Sequence, residues 1–145
     1  MLEDREQEEE DAVYLAPMDL VERALRERFP NWLTRGSIVV VSDGWALIVL
    51  DLFDAIAAKV GKDADIWIRA IKTQFAGLSV AYHAQDAIRD RVQPLVAQAE
   101  EAARRTCEIC AAPGRHSVDR SGSYATMCDA HREEHGFRVV ALSRH

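Results

Sequence analysis

The feature that most constrains this chain is a set of three cysteines and one histidine near its C-terminal end. Cys107-Glu108-Ile109-Cys110 is followed, after seventeen residues, by Cys128-Asp129-Ala130-His131, and this uses every cysteine in the sequence. Thiolates and an imidazole at these spacings are typical of tetrahedral zinc, and four protein ligands describe a closed, structural site. The sequence therefore predicts a structural Zn²⁺ ion bound by Cys107, Cys110, Cys128 and His131. The alternative is three buried thiols without a ligand.

The segments between the two ligand pairs predict how the chain wraps around the ion. Ala-Ala-Pro-Gly follows Cys110 and favours a tight turn, and Ser121-Gly122-Ser123 marks a second turn. The flanking segments, 115–119 and 124–127, are typical of a short β-hairpin. Cys128 and His131 are three residues apart, so one helical turn would direct both side chains at the same ion. The turn at Cys107–Cys110, which we call the knuckle, is followed by the hairpin and then the helix, as in a treble-clef zinc finger.

Length and charge narrow the class of protein. The chain has 145 residues, enough for one domain with a zinc-binding appendage. No apolar run approaches the length of a membrane span, and the acidic N-terminus is unlike a signal peptide. Three cysteines with metal-like spacing favour a reducing cytoplasm over a disulfide framework. Residues 1–15 carry the whole formal net charge of −6, so the remainder is neutral and has no global attraction for nucleic acid.

Apolar periodicity predicts two N-terminal helices. The first opens at Ala16-Pro17-Met18-Asp19, where Asp19 and Glu22 have capping-box spacing, and ends at Pro30. Its apolar face is Val21, Ala24, Leu25 and Phe29. The connector 31–36 carries Trp32, and Ile38 to Val41 is either a strand or an extended connector. The second helix begins at 42–45, ends at Gly61 and has the broadest apolar stripe, which predicts the central core helix: Trp45, Ile48, Val49, Leu52, Phe53, Ile56 and Val60.

The middle of the chain predicts strands and then a long helix. Segment 65–75 is rich in β-branched and aromatic residues, Ala76-Gly77 is a turn, and the following residues alternate, which favours an antiparallel hairpin. From Ala84 a helical stripe runs to Ala102, interrupted by Pro94, which should kink or divide the helix. We therefore expect an α+β fold: N-terminal helices, a hairpin or small sheet, a long helix and a zinc knuckle. The expected divisions are an acidic disordered tail (1–15), an α+β domain (16–105) and a zinc-knuckle module packed on it (106–145).

Four segments stand out together: 25–30 (LRERFP), 43–45 (DGW), 71–78 (IKTQFAGL), and 105–110 (RTCEIC) with Pro113-Gly114 and 127–131 (MCDAH). In this order they resemble a family of small, uncharacterised bacterial and phage-associated proteins with a C-terminal zinc knuckle. The resemblance covers roughly residues 20–135, and its zinc part is the most specific. Family members commonly have Gly after the second knuckle cysteine and Lys-Phe-Gly in the hairpin, where this chain has Ala111 and Gln74-Phe75-Ala76. The resemblance implies a fold and a metal, and no reaction.

Nucleic-acid binding is one alternative function. Residues 102–145 hold seven Arg against five Asp or Glu, and several arginines flank the ligands. Such side chains could contact phosphates, or they could be ordinary surface charge. The candidate contacts are Arg104, Arg105, Arg115, Arg120 and Arg132.

A degenerate HNH-like nuclease is a lesser alternative. His116 and Asp119 fall on the predicted hairpin and His135 on the last helix, but the sequence lacks an adjacent Asp-His pair, and the hairpin is too short for a second metal.

The Asp43-Gly44-Trp45 segment either caps a helix and anchors the core, or forms a recognition surface with Trp32. No catalytic constellation is visible. We therefore expect a non-catalytic, zinc-stabilised interaction or regulatory protein of a bacterial or phage-derived system, with another protein as its partner.

Overall fold

The computed structural model describes residues 19–140, and its fold is mixed α+β as the sequence predicts. The expected acidic tail and the opening of the first helix at 16–18 lie outside the described residues. Within the described range there are four α-helices and two three-stranded sheets. In chain order the elements are α1 (Asp19–Arg28), β1 (Leu33–Val40), α2 (Ala46–Val60), β2 (Ile66–Gln74), β3 (Gly77–Ala84), α3 (Asp86–Ala103), β4 (Arg115–Val118), β5 (Tyr124–Met127), α4 (Asp129–His135) and β6 (Arg138–Val139).

The first sheet has the strand order β1-β2-β3, with β1 parallel and β3 antiparallel to β2. The interpretation of 31–36 as a connector is wrong, because β1 begins at Leu33 and bulges before Ile38. Side chains satisfy the bulged backbone: Ser37 Oγ donates to the Ile68 carbonyl at 2.5 Å, and Arg26 donates to the carbonyls of Thr34 and Ser37 at 2.7 and 2.9 Å. A bulge held by distant side chains leaves no local pattern for sequence analysis to detect.

Helix α2 is the central core helix, as predicted. Its Val49, Leu52, Phe53 and Ile56 are buried in one cluster with the inner faces of β2 and α3. The second sheet has the order β5-β4-β6 and lies at the end of the chain that contains the four candidate ligands. Helix α3 is continuous through Pro94, which lies on its exposed side.

The two tryptophans near α2 are core anchors. Both indoles are fully buried, and each N–H donates to a carbonyl: Trp32 to Ala64 at 3.0 Å and Trp45 to Thr106 at 2.8 Å. A buried indole with its N–H satisfied contributes a large apolar surface at no polar cost. The alternative of a recognition surface built from Trp32 and Trp45 is therefore wrong.

The start of α2 is held by tertiary contacts and not by a side-chain cap. A single 3₁₀ turn, Asp43–Trp45, precedes the helix, and Ser42 at its N-cap position makes no capping hydrogen bond. Asp43 lies inside this turn, and the N-cap residue of α2 is Trp45, so the predicted capping role for Asp43 is wrong. The Gly44 N–H donates instead to the Glu108 carbonyl at 2.7 Å, so a distant backbone group satisfies a donor that the helix start leaves free.

The β2–β3 turn lies at Phe75-Ala76, one residue before the predicted position. Both residues have positive φ, 51° and 63°, as a two-residue primed hairpin turn requires. Non-glycine residues rarely adopt this conformation, so the sequence favours a turn that contains Gly77.

Candidate metal centre

The first ligand pair lies in a short, folded-back ribbon that follows α3. A bridge between Thr106 and Pro113 closes the ribbon, and the Cys107 N–H donates to the Ala112 carbonyl at 2.7 Å. Inside the turn, the Ile109 N–H donates to Cys107 Sγ at 3.5 Å. Such N–H groups pointing at a sulfur stabilise the thiolate, the form that binds a metal.

The second pair lies at the start of α4. Cys128 is the N-cap residue of this helix, and its Sγ accepts from the His131 backbone N–H at 3.5 Å. The three-residue spacing directs the imidazole of His131 back to the same point, as predicted from the helical period. Gly136 ends the helix with φ of 73°, as expected from the sequence.

The four predicted ligands meet in space. Their donor atoms all lie within 4.8 Å of one another, an arrangement compatible with a bound metal ion. Cys110 Sγ is 3.7 Å from Cys128 Sγ, and His131 Nδ1 is 3.6 Å from Cys107 Sγ and 3.2 Å from Cys128 Sγ. Cys107 and Cys128 are buried, His131 is half-buried and Cys110 is exposed. The cluster therefore sits at the surface with one side open at Cys110.

The surroundings favour ionisation of two thiols. At Cys107, burial is the largest single effect and opposes ionisation. Together, the N–H groups of Cys128, Cys110 and Ile109 and the side chain of His131 outweigh burial and lower the pKa of Cys107 to about 6. The His131 N–H is the main cause of a lowered pKa at Cys128. These two sites are prepared to bind a cation as thiolates.

The other two ligands shift in the opposite direction. At Cys110 the Ala112 N–H acts to lower the pKa most strongly, but burial and the neighbouring thiols Cys128 and Cys107 together raise it. Hydrogen bonds to Cys128 first and Cys107 second raise the pKa of His131. Without a cation, some of these closely spaced sulfur atoms would remain protonated as thiols, because neighbouring thiolates repel each other.

Glu108 lies between Cys107 and Cys110 and connects the candidate metal-binding segment, residues 106–140, to the rest of the protein. Its carboxylate accepts from Ser42 Oγ at 3.0 Å and from the Thr126 N–H at 2.5 Å. The Thr126 hydroxyl donates in turn to the Ala76 carbonyl at 2.9 Å, in the β2–β3 turn. Sequence analysis missed this role, because none of these partners is near Glu108 in the chain.

Gly44 is a second residue whose role sequence analysis missed. A Cβ atom added there would lie 2.1 Å from the Cys107 carbonyl oxygen and 2.6 Å from the Glu108 carbonyl carbon. Only glycine permits the knuckle backbone to approach the start of α2 this closely. The signal was present as a glycine inside Asp43-Gly44-Trp45, but a single sequence does not show what the glycine faces.

The five candidate arginines do not form one free basic surface. Arg104 and Arg105 pair with Glu101 at 3.4 and 2.9 Å, and Arg132 pairs with Asp129 and donates to the Met127 carbonyl at 3.1 Å. Arg115 and Arg120 are exposed and make no ion pair with any residue between 19 and 140. Three of the five are therefore already partnered by carboxylates.

The residues of the nuclease alternative do not assemble into a metal-ligand group. His116 stacks on Tyr124 with ring centroids 5.1 Å apart, while His135 lies beside His131 at 6.0 Å. Asp119 closes the hairpin turn: its carboxylate accepts from the Ser121 hydroxyl, which is the main cause of its lowered pKa, and from the N–H groups of Ser121 and Ser123. Among residues 19–140 the Cys107–His131 cluster is the one group placed to hold a metal.

No protein-family model matches this chain, and comparisons with the curated proteins and with the solved structures give no significant match. Within residues 19–140, none of the helices combines the length and apolar character that crossing a bilayer needs.

Proposed function

We propose that this protein is a non-catalytic, zinc-stabilised interaction module. The observation that carries the proposal is the convergence of three sulfur atoms and one imidazole nitrogen within 4.8 Å. Soft thiolate donors with one imidazole select Zn²⁺ over Mg²⁺ or Ca²⁺, which prefer oxygen ligands.

Three of the six distances between donor atoms are close to those of a zinc tetrahedron, and all six are at most 4.8 Å. With Zn–S bonds of about 2.3 Å and a Zn–N bond of about 2.0 Å, a tetrahedron has S···S edges of about 3.8 Å and S···N edges of about 3.5 Å. The corresponding distances here are 3.7 Å for Cys110–Cys128 and 3.6 and 3.2 Å for the two edges at His131. Small side-chain adjustments would complete the coordination shell.

The donor set also argues for a structural and not a catalytic ion. Catalytic zinc keeps an open position for water or substrate, whereas four protein ligands fill a tetrahedron. Knuckle, hairpin and helix follow in the order of a treble-clef finger, and we assign the segment to that class. Through Glu108 and the Gly44 contact, the ion would also hold this segment against α2. Together with the resemblance in its sequence, this favours a regulatory or docking role in the cytoplasm of a bacterial or phage-derived system.

The proposal is tested by metal analysis of the full chain and of two ligand variants. We expect about one zinc per chain. Cys110→Ser and Cys128→Ser should lose it and raise amide exchange across residues 105–136, because metal binding energy is folding energy in so small a module. Cys110 is exposed, so its substitution removes a ligand without disturbing the core.

His135→Ala is the matched control. Its ring lies 6.0 Å from His131 on the same helix but outside the donor group, so zinc content and exchange should be unchanged. A metal-free protein whose residues 105–136 are as protected as before would refute the proposal.

A further inference from the structure

The face of the first sheet that points away from the core is open and carries large side chains. Trp67 on β2 is 41% exposed, and Ile38 and Val40 on β1 are 47% and 48% exposed. The opposite face, with Ile66, Ile68 and Ile71, is buried against the helices. The side chains of Trp67, Ile38 and Val40 are therefore accessible to a ligand in the part of the protein that spans residues 19–140.

A β-bulge in β2 places two cations on this face. Ile68 pairs with Tyr82 and Ala70 with Ala81, so Arg69 is the extra residue without a partner. The bulge allows both Ile68 and Ile71 to face the core although they are three residues apart. As a consequence Arg69 and Lys72 are exposed on the solvent side, together with Trp67.

Trp67 contacts a side chain on each of the two neighbouring strands. Its ring stacks on His83 of β3, with centroids 5.1 Å apart and an interplanar angle of 17°. Its indole N–H donates to Thr34 Oγ1 of β1 at 3.3 Å. The stacked pair spans the sheet and is preorganised, so a ligand that stacks on it would not have to order these side chains.

The charge of this sheet is opposite to that of the chain. Strands β1, β2 and β3 contain no Asp or Glu, but they contain Arg35, Arg69 and Lys72, in a protein of formal net charge −6. None of these three cations makes a salt bridge or side-chain hydrogen bond with another residue between 19 and 140. Unpaired cations around an exposed aromatic pair are complementary to a polyanion with flat, stackable groups.

We propose that the open face of the first sheet binds single-stranded nucleic acid. A base would stack on the Trp67–His83 pair, and Arg69 and Lys72 would contact the flanking phosphates. A duplex keeps its bases stacked inside, so it offers the aromatic pair nothing to bind and only phosphates to the cations. This proposal names the partner of the interaction module, and in that respect it rests on the proposed function. It does not depend on the metal, because none of these residues is a candidate ligand. The proposed surface is different from the one that the sequence suggests for nucleic acid, which consists of arginines in the metal-binding segment.

The test is binding of labelled oligo(dT) and oligo(U) to the full, zinc-loaded chain, followed by fluorescence anisotropy over a range of salt concentrations. We expect both single strands to bind more tightly than a duplex of the same length, and their ratio distinguishes DNA from RNA. Trp67→Ala should weaken binding about tenfold or more, and Trp67→Phe less, because a ring remains. Arg69→Gln with Lys72→Gln should reduce the log-log salt slope by about 0.7 for each contact removed.

Two controls separate this surface from its alternatives. Arg115→Gln with Arg120→Gln removes the same charge from the metal-binding segment and should leave the affinity for single strands unchanged. Trp67 is the exposed tryptophan of the three, so stacking should quench its fluorescence, and Trp67→Phe should abolish that quenching. Zinc content and melting temperature, measured on every variant, separate lost binding from lost folding.

Three outcomes would overturn the proposal. The first is that the full chain does not bind single strands at low salt. The second is that the control pair loses as much affinity as the Arg69 and Lys72 pair. The third is that a peptide with the sequence of residues 1–11 binds the sheet face while oligonucleotides do not, which would assign the face to the chain's own acidic segment.

Discussion

At the residue scale, Ala111 is the most strained position in the metal-binding segment. It follows the second ligand directly, where the ribbon turns back and the Ala111 N–H donates to the Cys107 carbonyl at 3.1 Å. Its φ of 68° lies in the left-handed region, which costs a residue with a Cβ about 1–2 kcal/mol. Glycine, which has no Cβ, has no such cost at a positive φ.

Ala111→Gly should therefore stabilise the protein. Relief of strain should exceed the extra unfolded-state entropy of glycine, and we expect a net gain of about 0.5–1 kcal/mol in the free energy of unfolding. Denaturant melts of the zinc-loaded chain measure it, and zinc loss to a chelator should be slower. The neighbouring Ala112→Gly has no positive φ to relieve and should lower stability. Equal effects of the two substitutions would show that Ala111 is not strained.

At the scale of elements, the junction between α2 and the knuckle links the two halves of the described chain. Gly44 N–H and Trp45 Nε1–H donate to carbonyls on either side of Cys107, at 2.7 and 2.8 Å. The knuckle thus accepts a hydrogen bond from a backbone N–H at the start of the central helix, while the turn before the helix supplies donors for the carbonyls of Thr106 and Glu108. Each element depends on the other for its backbone hydrogen bonds.

Gly44→Ala should break this junction. The added methyl group would meet backbone atoms at 2.1–2.7 Å, and backbone cannot move aside as a flexible side chain can. We expect a loss of about 3 kcal/mol in the free energy of unfolding and faster zinc release to a chelator. Gly36→Ala is the matched control, because its nearest neighbour would be Thr34 Oγ1 at an ordinary 3.7 Å. If the two variants were equally stable, the close approach at Gly44 would be disproved.

At the scale of the whole molecule, charge is separated along the chain. Residues 1–11 carry a net charge of −6 and the remainder is neutral, while the first sheet carries only cations. The acidic segment lowers the average attraction of the protein for polyanions, and the sheet face provides one local site for them. Such an arrangement favours a site with a particular partner over general adhesion to nucleic acid.

Deleting residues 1–11 should leave the melting temperature and the zinc content nearly unchanged, because this segment holds too few apolar residues to contribute to a core. Association with a single-stranded oligonucleotide should become faster at low salt, and the difference should vanish as salt rises. Calorimetry, metal analysis and stopped-flow binding measure the three quantities. A clear drop in melting temperature would show that the acidic segment is part of the fold.

Features that repeat locally were accessible from the sequence. The four candidate ligands follow from two short spacings, and helix α2 follows from a stripe that recurs every three to four residues. The β4–β5 hairpin and the end of α4 at Gly136 follow from local turn chemistry in the same way. Each is encoded within a few residues, because a helical turn or a tight turn involves only near neighbours.

What the sequence by itself determined is therefore the donor set and the mixed α+β fold class. Only the tertiary structure decided that β1 pairs parallel with β2, that Glu108 accepts from Ser42 and that Gly44 lies against Cys107. It also decided which residues of β2 lie on the open face of the first sheet. The bulge at Arg69 shifts by one residue the alternation between side chains that face the core and side chains that face solvent. These contacts join residues about 30 to 65 positions apart, and no local period records such pairs: they depend on how buried apolar surfaces fit together in three dimensions.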